Sequence, residues 1–560
     1  MTMFEISVVI PTYNRAALLE QCLFALSRQS HPSLFEVIVV DDGSTDETPR
    51  LLESVSPPFE LRIETQTNRG QAAARNVGAA AANSPYCLFV DDDVTFDRDF
   101  VALHLEAQRD NRGIAALGPL RLRHAANANP LARHVALTWE RHAAEAAKLE
   151  RQATFRDCWS GNLSVPRDAL LDVGGFAEDL PRKHDVELGF RLARAGLHFR
   201  YVPRAVAVAD FPSETHEVAG DLEREGAADI ELYKRHPPIL EVLDLGLYSE
   251  YPRRLQWGIR TLVGLRAPVR LLVAVGVRLA RGQRADAWFE LVTRYCYWRG
   301  VRSAMSSRRE WRRTTVGTKI FLYHAFGSPR ERPSRYIVPA RRLRRQAALL
   351  RLLGYRVVPL DEIVDEWRAF RFAPRRTLAI TIDDGYADNY SVAMPVFSRY
   401  GFAPTVFVVS QEESNSWDRD TELRGRSLVT ETEVRALAAA GATIGAHTRT
   451  HADLRELDGP ERREEIEGSR AELQQRLDRP VTLFAYPFGA IDDEVADAAE
   501  AAGFEAACIA APGTNGPRTP RMWLRRIEIR GTYSLARFAL TLFIGDTHRP
   551  VRRLRERLRL

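Results

Sequence analysis

Three residues late in the chain, Asp384, His447 and His451, offer one carboxylate and two imidazoles. Such a donor set suits zinc or another divalent transition metal with a position left open for water. Asp383 stands beside the first of them, placed to take a proton from that water. Far upstream, Leu88 to Asp93 is an apolar run that ends on three carboxylates. Unpaired charges are costly to bury, so these belong at an exposed strand end, where Asp91 and Asp93 can both reach a hard oxygen-seeking cation. Acidic strand ends and histidine pairs also occur without any metal, so the surrounding elements decide.

In the first half, the β-branched runs Ile6 to Ile10 and Val37 to Val40 end on Pro-Thr-Tyr-Asn-Arg and Asp-Asp-Gly-Ser-Thr-Asp. Between them Leu18, Leu19, Cys22, Leu23 and Leu26 keep helical spacing, and 61–64, 71–82 and 86–90 repeat the unit. Alternation of this kind predicts an α/β fold with a mainly parallel sheet, helices on both faces, and ligands at the carboxyl ends of the strands. Thr12, Asp41, Asp42, Arg75, Asp91 and Asp93 fall at that edge. Strands and helices alternate again after residue 316. The runs 319–323, 378–382 and 442–446 deliver His324, Asp383-Asp384 and His447, as in an α/β barrel with its chemistry at one rim.

The motifs Ser-Val-Val-Ile-Pro-Thr-Tyr-Asn-Arg, Val-Asp-Asp-Gly-Ser-Thr-Asp, Asn-Arg-Gly-Gln-Ala-Ala-Ala-Arg-Asn-Val-Gly and Phe-Val-Asp-Asp-Asp together resemble family 2 glycosyltransferases of the GT-A fold. The resemblance implies Thr12 and Asp41 at the nucleotide base with Arg75 nearby, Asp91 at the ribose, and Asp93 on a Mn2+ or Mg2+ ion that holds the diphosphate. Asp42 either joins that site or simply closes its turn. Trp159 to Ser164 and His184-Asp185-Val-Glu-Leu-Gly-Phe-Arg191 resemble the acceptor half of the family, which makes Asp185 the general base, with Glu187 the next candidate. The Gln-x-x-Arg-Trp motif of the processive relatives is not evident, which favours addition of a single sugar. Asp210, with His216 further on, stands where many relatives carry a metal-assisting histidine.

Asp383-Asp384-Gly385, His447-Thr-Arg-Thr-His451 and Ala485-Tyr486-Pro487-Phe488 resemble the polysaccharide deacetylases of carbohydrate esterase family 4. The resemblance implies Asp383 as base, Asp384, His447 and His451 as ligands of Zn2+ or another divalent transition metal, and backbone amides near Tyr486 and Phe488 at the oxyanion. Trp523 and Arg525 are expected to line the sugar pocket. Alanine at 485 replaces an arginine that orients the base in many members, which leaves Asp383 less constrained. The late histidine of the family has no clear counterpart, because 540–544 reads as an apolar strand without one; His324 and His548 are its substitutes.

At 560 residues the chain exceeds one ordinary core. Three regions are expected: a nucleotide-binding GT-A sheet domain over 1–240, a helical basic connector over 241–315, and a distorted (β/α) barrel deacetylase domain over 316–560. A net charge of +5 with acidic residues mixed in nearly throughout gives no nucleic-acid partner. Five scattered cysteines argue for a reducing compartment, and the N-terminus lacks the pattern of a signal peptide. The connector, rich in arginine, tryptophan and tyrosine, either packs on the transferase domain or lies on the inner face of the membrane. The expected protein is cytoplasmic. It takes a nucleotide sugar, a UDP-sugar foremost, and a lipid-linked or soluble glycan acceptor. Alternatives for the second domain are a glycan-binding scaffold and an O-acetyl esterase.

Overall fold

The computed structural model describes residues 4–544 apart from 111–112, 124–128, 148–152, 211–213, 280–281 and 419–420. His548, one substitute for the late histidine, lies outside them. The chain forms two units: Met1–Val242 with Arg253–Ser306, and Leu243–Pro252 with Ser307–Leu560. Residues 241–315 are thus divided between the two.

The first unit is built on β1 (Ile6–Thr12), β2 (Phe35–Asp41), β3 (Glu60–Thr65) and β4 (Tyr86–Val90), all parallel. After the short β5 (Val94–Phe96) come β6 (Ile114–Leu117), β7 (Leu120–Arg123), β8 (Asn162–Pro166), β9 (His198–Tyr201) and β10 (Ala207–Asp210). The main sheet runs β3-β2-β1-β4-β8-β6-β9, and β5-β10-β7 form a second, smaller one. β8 is antiparallel to both its neighbours, so the sheet is mixed. Val8, Ile10, Val37 and Val39 enter one core while Val9, Ile38 and Val40 enter another, as alternating side chains must when both faces are covered. The helices Arg253–Leu265, Val269–Leu279 and Gln283–Ala304 belong to this unit. The last crosses the helix Thr215–Arg235 so closely that a Cβ on Gly300 would meet the Glu223 carbonyl.

The second unit holds β11 (Lys319–Tyr323), the paired β12 (Ala325–Gly327) and β13 (Ile337–Pro339), then β14 (Arg356–Val358), β15 (Thr377–Ile382), β16 (Thr405–Val408), β17 (Thr443–Ala446), β18 (Leu483–Ala485), β19 (Ala506–Cys508) and β20 (Ile527–Glu528). The large sheet runs β19-β18-β17-β16-β15-β11-β20, with β14 also on β15, and every pairing is parallel. This is the parallel half-barrel form of the expected barrel. Parallel pairing brings the carboxyl ends of β11, β15, β17 and β18 to one edge. The run 540–544 is the end of a helix, Leu535–Ile544, and not a strand. Phe538 and Leu542, four apart, bury its inner face.

Candidate active sites

The three carboxylates after β4 differ in what they do. Asp92 turns inward, accepting the Thr12 hydroxyl at 2.8 Å and the Arg15 guanidinium at 3.0 Å. Arg15 also reaches Asp93 at 3.0 Å. Asp91 is held by the guanidinium of Arg75, which is 1% exposed and lies 2.8 Å from His184 Nε2. A guanidinium only donates, so His184 accepts and is neutral; burial, and then Arg75, push it down to about 4. Burial, and then Asp91, push Asp93 up to about 6. Three carboxylates against two guanidiniums leave an excess of negative charge, a setting that fits a cation and a diphosphate. Asp91 and Asp93 alone make no set of three protein ligands.

Around this cluster the turns are held by the neighbouring aspartates. Asp41 accepts the Ser44 amide at 2.9 Å. Asp42 accepts the amides of Arg69 and Gly70, both at 2.8 Å, and so fixes the entry to the helix Gln71–Ala81 that carries Arg75. These bonds close the turn. Asp185 opens the helix His184–Arg194 and accepts its own neighbour Val186 at 2.8 Å and the Ser160 amide at 3.4 Å. Gly161, next to Ser160, lies so near Asp91 that a Cβ would stand 2.7 Å from Oδ2. Asp185, Arg75 and Asp91 therefore share one edge. Glu187, the other candidate base, is buried and tied to Arg191 at 2.6 Å and His236 at 2.8 Å. Asp210 is exposed and pairs with Arg123 at 3.4 Å.

In the second unit Asp384, His447 and His451 meet. Among the described residues they are the one buried group with three potential metal-ligand atoms within 4.8 Å of one another. His447 Nδ1 donates to the Ala485 carbonyl at 2.7 Å, so a neutral ring presents a lone pair at Nε2. That Nε2 and His451 Nε2 each lie 3.3 Å from the same Asp384 oxygen. Facing lone pairs of this kind need a cation or a proton between them, so the donors fit a divalent metal. Burial works against the Asp384 carboxylate, yet His447 and His451 hold it well below the usual range. Asp384 and His451 sit at φ +71° and +64°, strained backbone for residues with a Cβ and a frequent mark of functional sites.

The neighbours of this trio differ from the expectation in several ways. Asp383 is gripped in a fork by Arg526, at 2.5 and 2.7 Å. Arg526 is fully buried and also donates to the Ile509 carbonyl and the Thr381 hydroxyl. The alanine at 485 thus leaves Asp383 no less constrained, because an arginine just before β20 does the orienting. Arg525 points elsewhere, to Glu250 at 2.7 Å, and is not at the metal group. Tyr486 is buried in the core against Phe484, and its amide donates to the Cys508 carbonyl. Phe488, 59% exposed at φ +59°, stands edge-on to His451 at 4.6 Å. Trp417 stacks on the same imidazole at 4.2 Å. Trp523 is half-buried and packs against the core. His324 follows β11, beside Asp383, and its ring stands against Tyr336.

Arg526, Arg15 and Trp417 were not singled out from the sequence. A period-two reading of 523–526 puts Arg526 on the side of the buried Leu524, which is the signal that could have found it.

Residues 7–174 match the family described as Glycosyl transferase family 2, and residues 371–507 match Polysaccharide deacetylase. The chain joins one domain of each family. Both are enzyme domains. On the transferase side it is 31% identical to validoxylamine A glucosyltransferase of Streptomyces hygroscopicus subsp. limoneus, over 38% of this chain and 53% of that protein. It is 29% identical to pre-mycofactocin glycosyltransferase of Mycobacterium tuberculosis, over 50% of this chain and 58% of that protein. The chain thus spans little more than half the length of these relatives. On the deacetylase side, a solved Streptococcus pyogenes deacetylase in complex with acetate aligns with a TM-score of 0.36 at 21% identity, covering 40% of this chain and 98% of that one.

Proposed function

We propose that this transferase-deacetylase is a bifunctional enzyme of cell-surface glycan synthesis, which adds a sugar from a nucleotide sugar with inversion and removes an N-acetyl group from an acetamido sugar. The observation that carries the second activity is the buried Asp384, His447 and His451 trio, with Asp383 beside it locked by Arg526.

In the transferase domain, Thr12 and Asp41 lie at the nucleotide base with Arg75 nearby, Asp91 faces the ribose, and Asp185 takes the proton of the attacking acceptor hydroxyl. The commitment of Glu187 to Arg191 and His236 favours Asp185 as base. A divalent cation held through Asp93, Mn2+ or Mg2+, would offset charge on the departing diphosphate. In the deacetylase domain, Asp384, His447 and His451 would hold Zn2+ or a similar ion, which when bound would polarise the carbonyl and make water a better nucleophile. Asp383, oriented by Arg526, takes the proton of that water. Trp417 and Phe488 form an aromatic wall at His451 that suits the face of a sugar ring. The donor is a UDP-sugar, the acceptor a lipid-linked or soluble glycan, and both steps run in the cytoplasm, where nucleotide sugars are made.

Acetate release from N-acetylglucosamine oligomers and UDP-N-acetylglucosamine, with zinc, cobalt or manganese added, tests the second activity. Metal-dependent release lost in Asp383→Asn is expected. Release from O-acetyl esters alone would replace the amide reading, and sugar binding without any release would leave a scaffold.

A further inference from the structure

Between Glu250 and Asp286 the chain has no acidic residue, yet the two helices Arg253–Leu265 and Val269–Leu279 and their short joint carry six arginines. All six are exposed. On the first helix, Arg253, Trp257, Arg260 and Gly264 follow one another at helical spacing along the exposed side. On the second, Arg270, Leu271, Ala274, Val277 and Arg278 do the same. Large apolar groups stand out in this basic surround: Trp257 and Leu265 are each 72% exposed, Leu271 59% and Val277 56%.

The opposite faces are anchored on the helix Gln283–Ala304. Leu272 and Val273 are buried against Phe289 and Val292, Trp288 Nε1 donates to the Leu272 carbonyl at 2.8 Å, and the Tyr295 hydroxyl donates to the Ala267 carbonyl at 2.7 Å. The outer face is therefore held in place by a packed inner one. Among the described residues no helix is long and apolar enough to cross a membrane. At ~1.5 Å per residue both helices also fall well short of a ~30 Å hydrocarbon layer.

We infer that the outward face of these two helices is a docking surface for an anionic phospholipid bilayer, on which they lie in the plane of the headgroups. Arginines meet lipid phosphates while Trp257, Leu265, Leu271 and Val277 enter the boundary of the acyl chains. A nucleic acid would use the arginines and leave Leu265, Leu271 and Val277 in water, so a lipid surface accounts for both halves of the pattern. The inference does not depend on either catalytic reading.

Cosedimentation of the full chain with vesicles of equal parts phosphatidylcholine and phosphatidylglycerol, against vesicles of phosphatidylcholine alone, tests it. Binding only to the phosphatidylglycerol vesicles is expected, and it weakens with added salt. Replacing Arg260, Arg270 and Arg278 together by glutamine should weaken it roughly 100-fold, at about fivefold per arginine. Trp257→Ser with Leu271→Ser should remove the binding that survives high salt. These positions are exposed, and an unchanged far-ultraviolet spectrum would certify the fold. Equal binding by wild type and variants, no vesicle binding at all, or single-stranded RNA bound in place of vesicles would each overturn the inference. So would a concentration-dependent dimer that Trp257→Ser disperses while vesicles are ignored.

Discussion

Arg526 and Asp383 form a forked, fully desolvated ion pair, and removing either partner strands a charge. The perturbation is the cycle of Arg526→Met, Asp383→Asn and the double variant. Arg526 is 1% exposed and Asp383 4%, so water cannot replace the lost partner. Arg526 has further bonds to Ile509 and Thr381, but its charge is met by Asp383. Breaking a buried pair from one side costs about 3–5 kcal/mol, whereas replacing both partners costs far less. Each single variant should therefore lose about 3–5 kcal/mol. The double variant should fall short of the sum of the two by ~2 kcal/mol or more. Native-state hydrogen exchange at the amides of β15 reads the second unit alone, and acetate release follows the same variants. Arg526→Lys should keep part of the stability and little of the activity, because a point charge cannot grip both carboxylate oxygens. Singles that simply add in the double variant would refute the pairing argument.

Other expectations follow from particular contacts. Asp185→Asn should lower transferase turnover by about 10²–10⁴-fold with the fold intact, while Glu187→Gln should cost stability first, since it loosens Arg191 and His236; steady-state kinetics beside thermal melts separate them. His104 is wholly buried between Ser164 and Asn162, and burial pushes it down to about 4. The unfolded chain, with an ordinary value near 6.5, binds the proton more readily. Stability is thus full above pH ~6.5 and falls as the pH drops toward ~4, by up to about 3 kcal/mol. Urea unfolding across that window should show the slope, and a His104→Gln variant should lower it by His104's share, leaving the part that His184, also held near 4, contributes. Gly300→Val should destabilise the first unit by about 1–3 kcal/mol or more, because its side chain would drive into the Glu223 carbonyl. Denaturation midpoints check it.

Much of the fold was open to reading because β-branched runs with polar ends mark strands that parallel sheets bury on both faces. The grouping of Asp384, His447 and His451 was legible for the same reason, since the three follow two such runs. Side-chain direction was less so. Period-two alternation sends Tyr486 into the core with Phe484, and the left-handed backbone at Phe488 then breaks that alternation and turns its ring to His451. Nothing in Asp-Asp-Asp says that the middle residue turns inward to Thr12 and Arg15. An arginine is expected to face water, and residue type alone does not mark Arg526, rather than its neighbour Arg525, as the buried one. The apolar run 540–544 is too short for its period to distinguish strand from helix, and packing on Phe538 and Leu542 settles it as helix.

Two separable enzymes in one chain should each survive the loss of the other. Full-length wild type, Asp93→Ala and Asp384→Ala are each given a labelled nucleotide sugar with acceptor and, separately, a preformed acetylated glycan, and label transfer and acetate release are both followed. Asp93→Ala should lose transfer and keep acetate release, and Asp384→Ala should do the reverse. Loss of both activities in either correctly folded variant, or loss of neither, would contradict it.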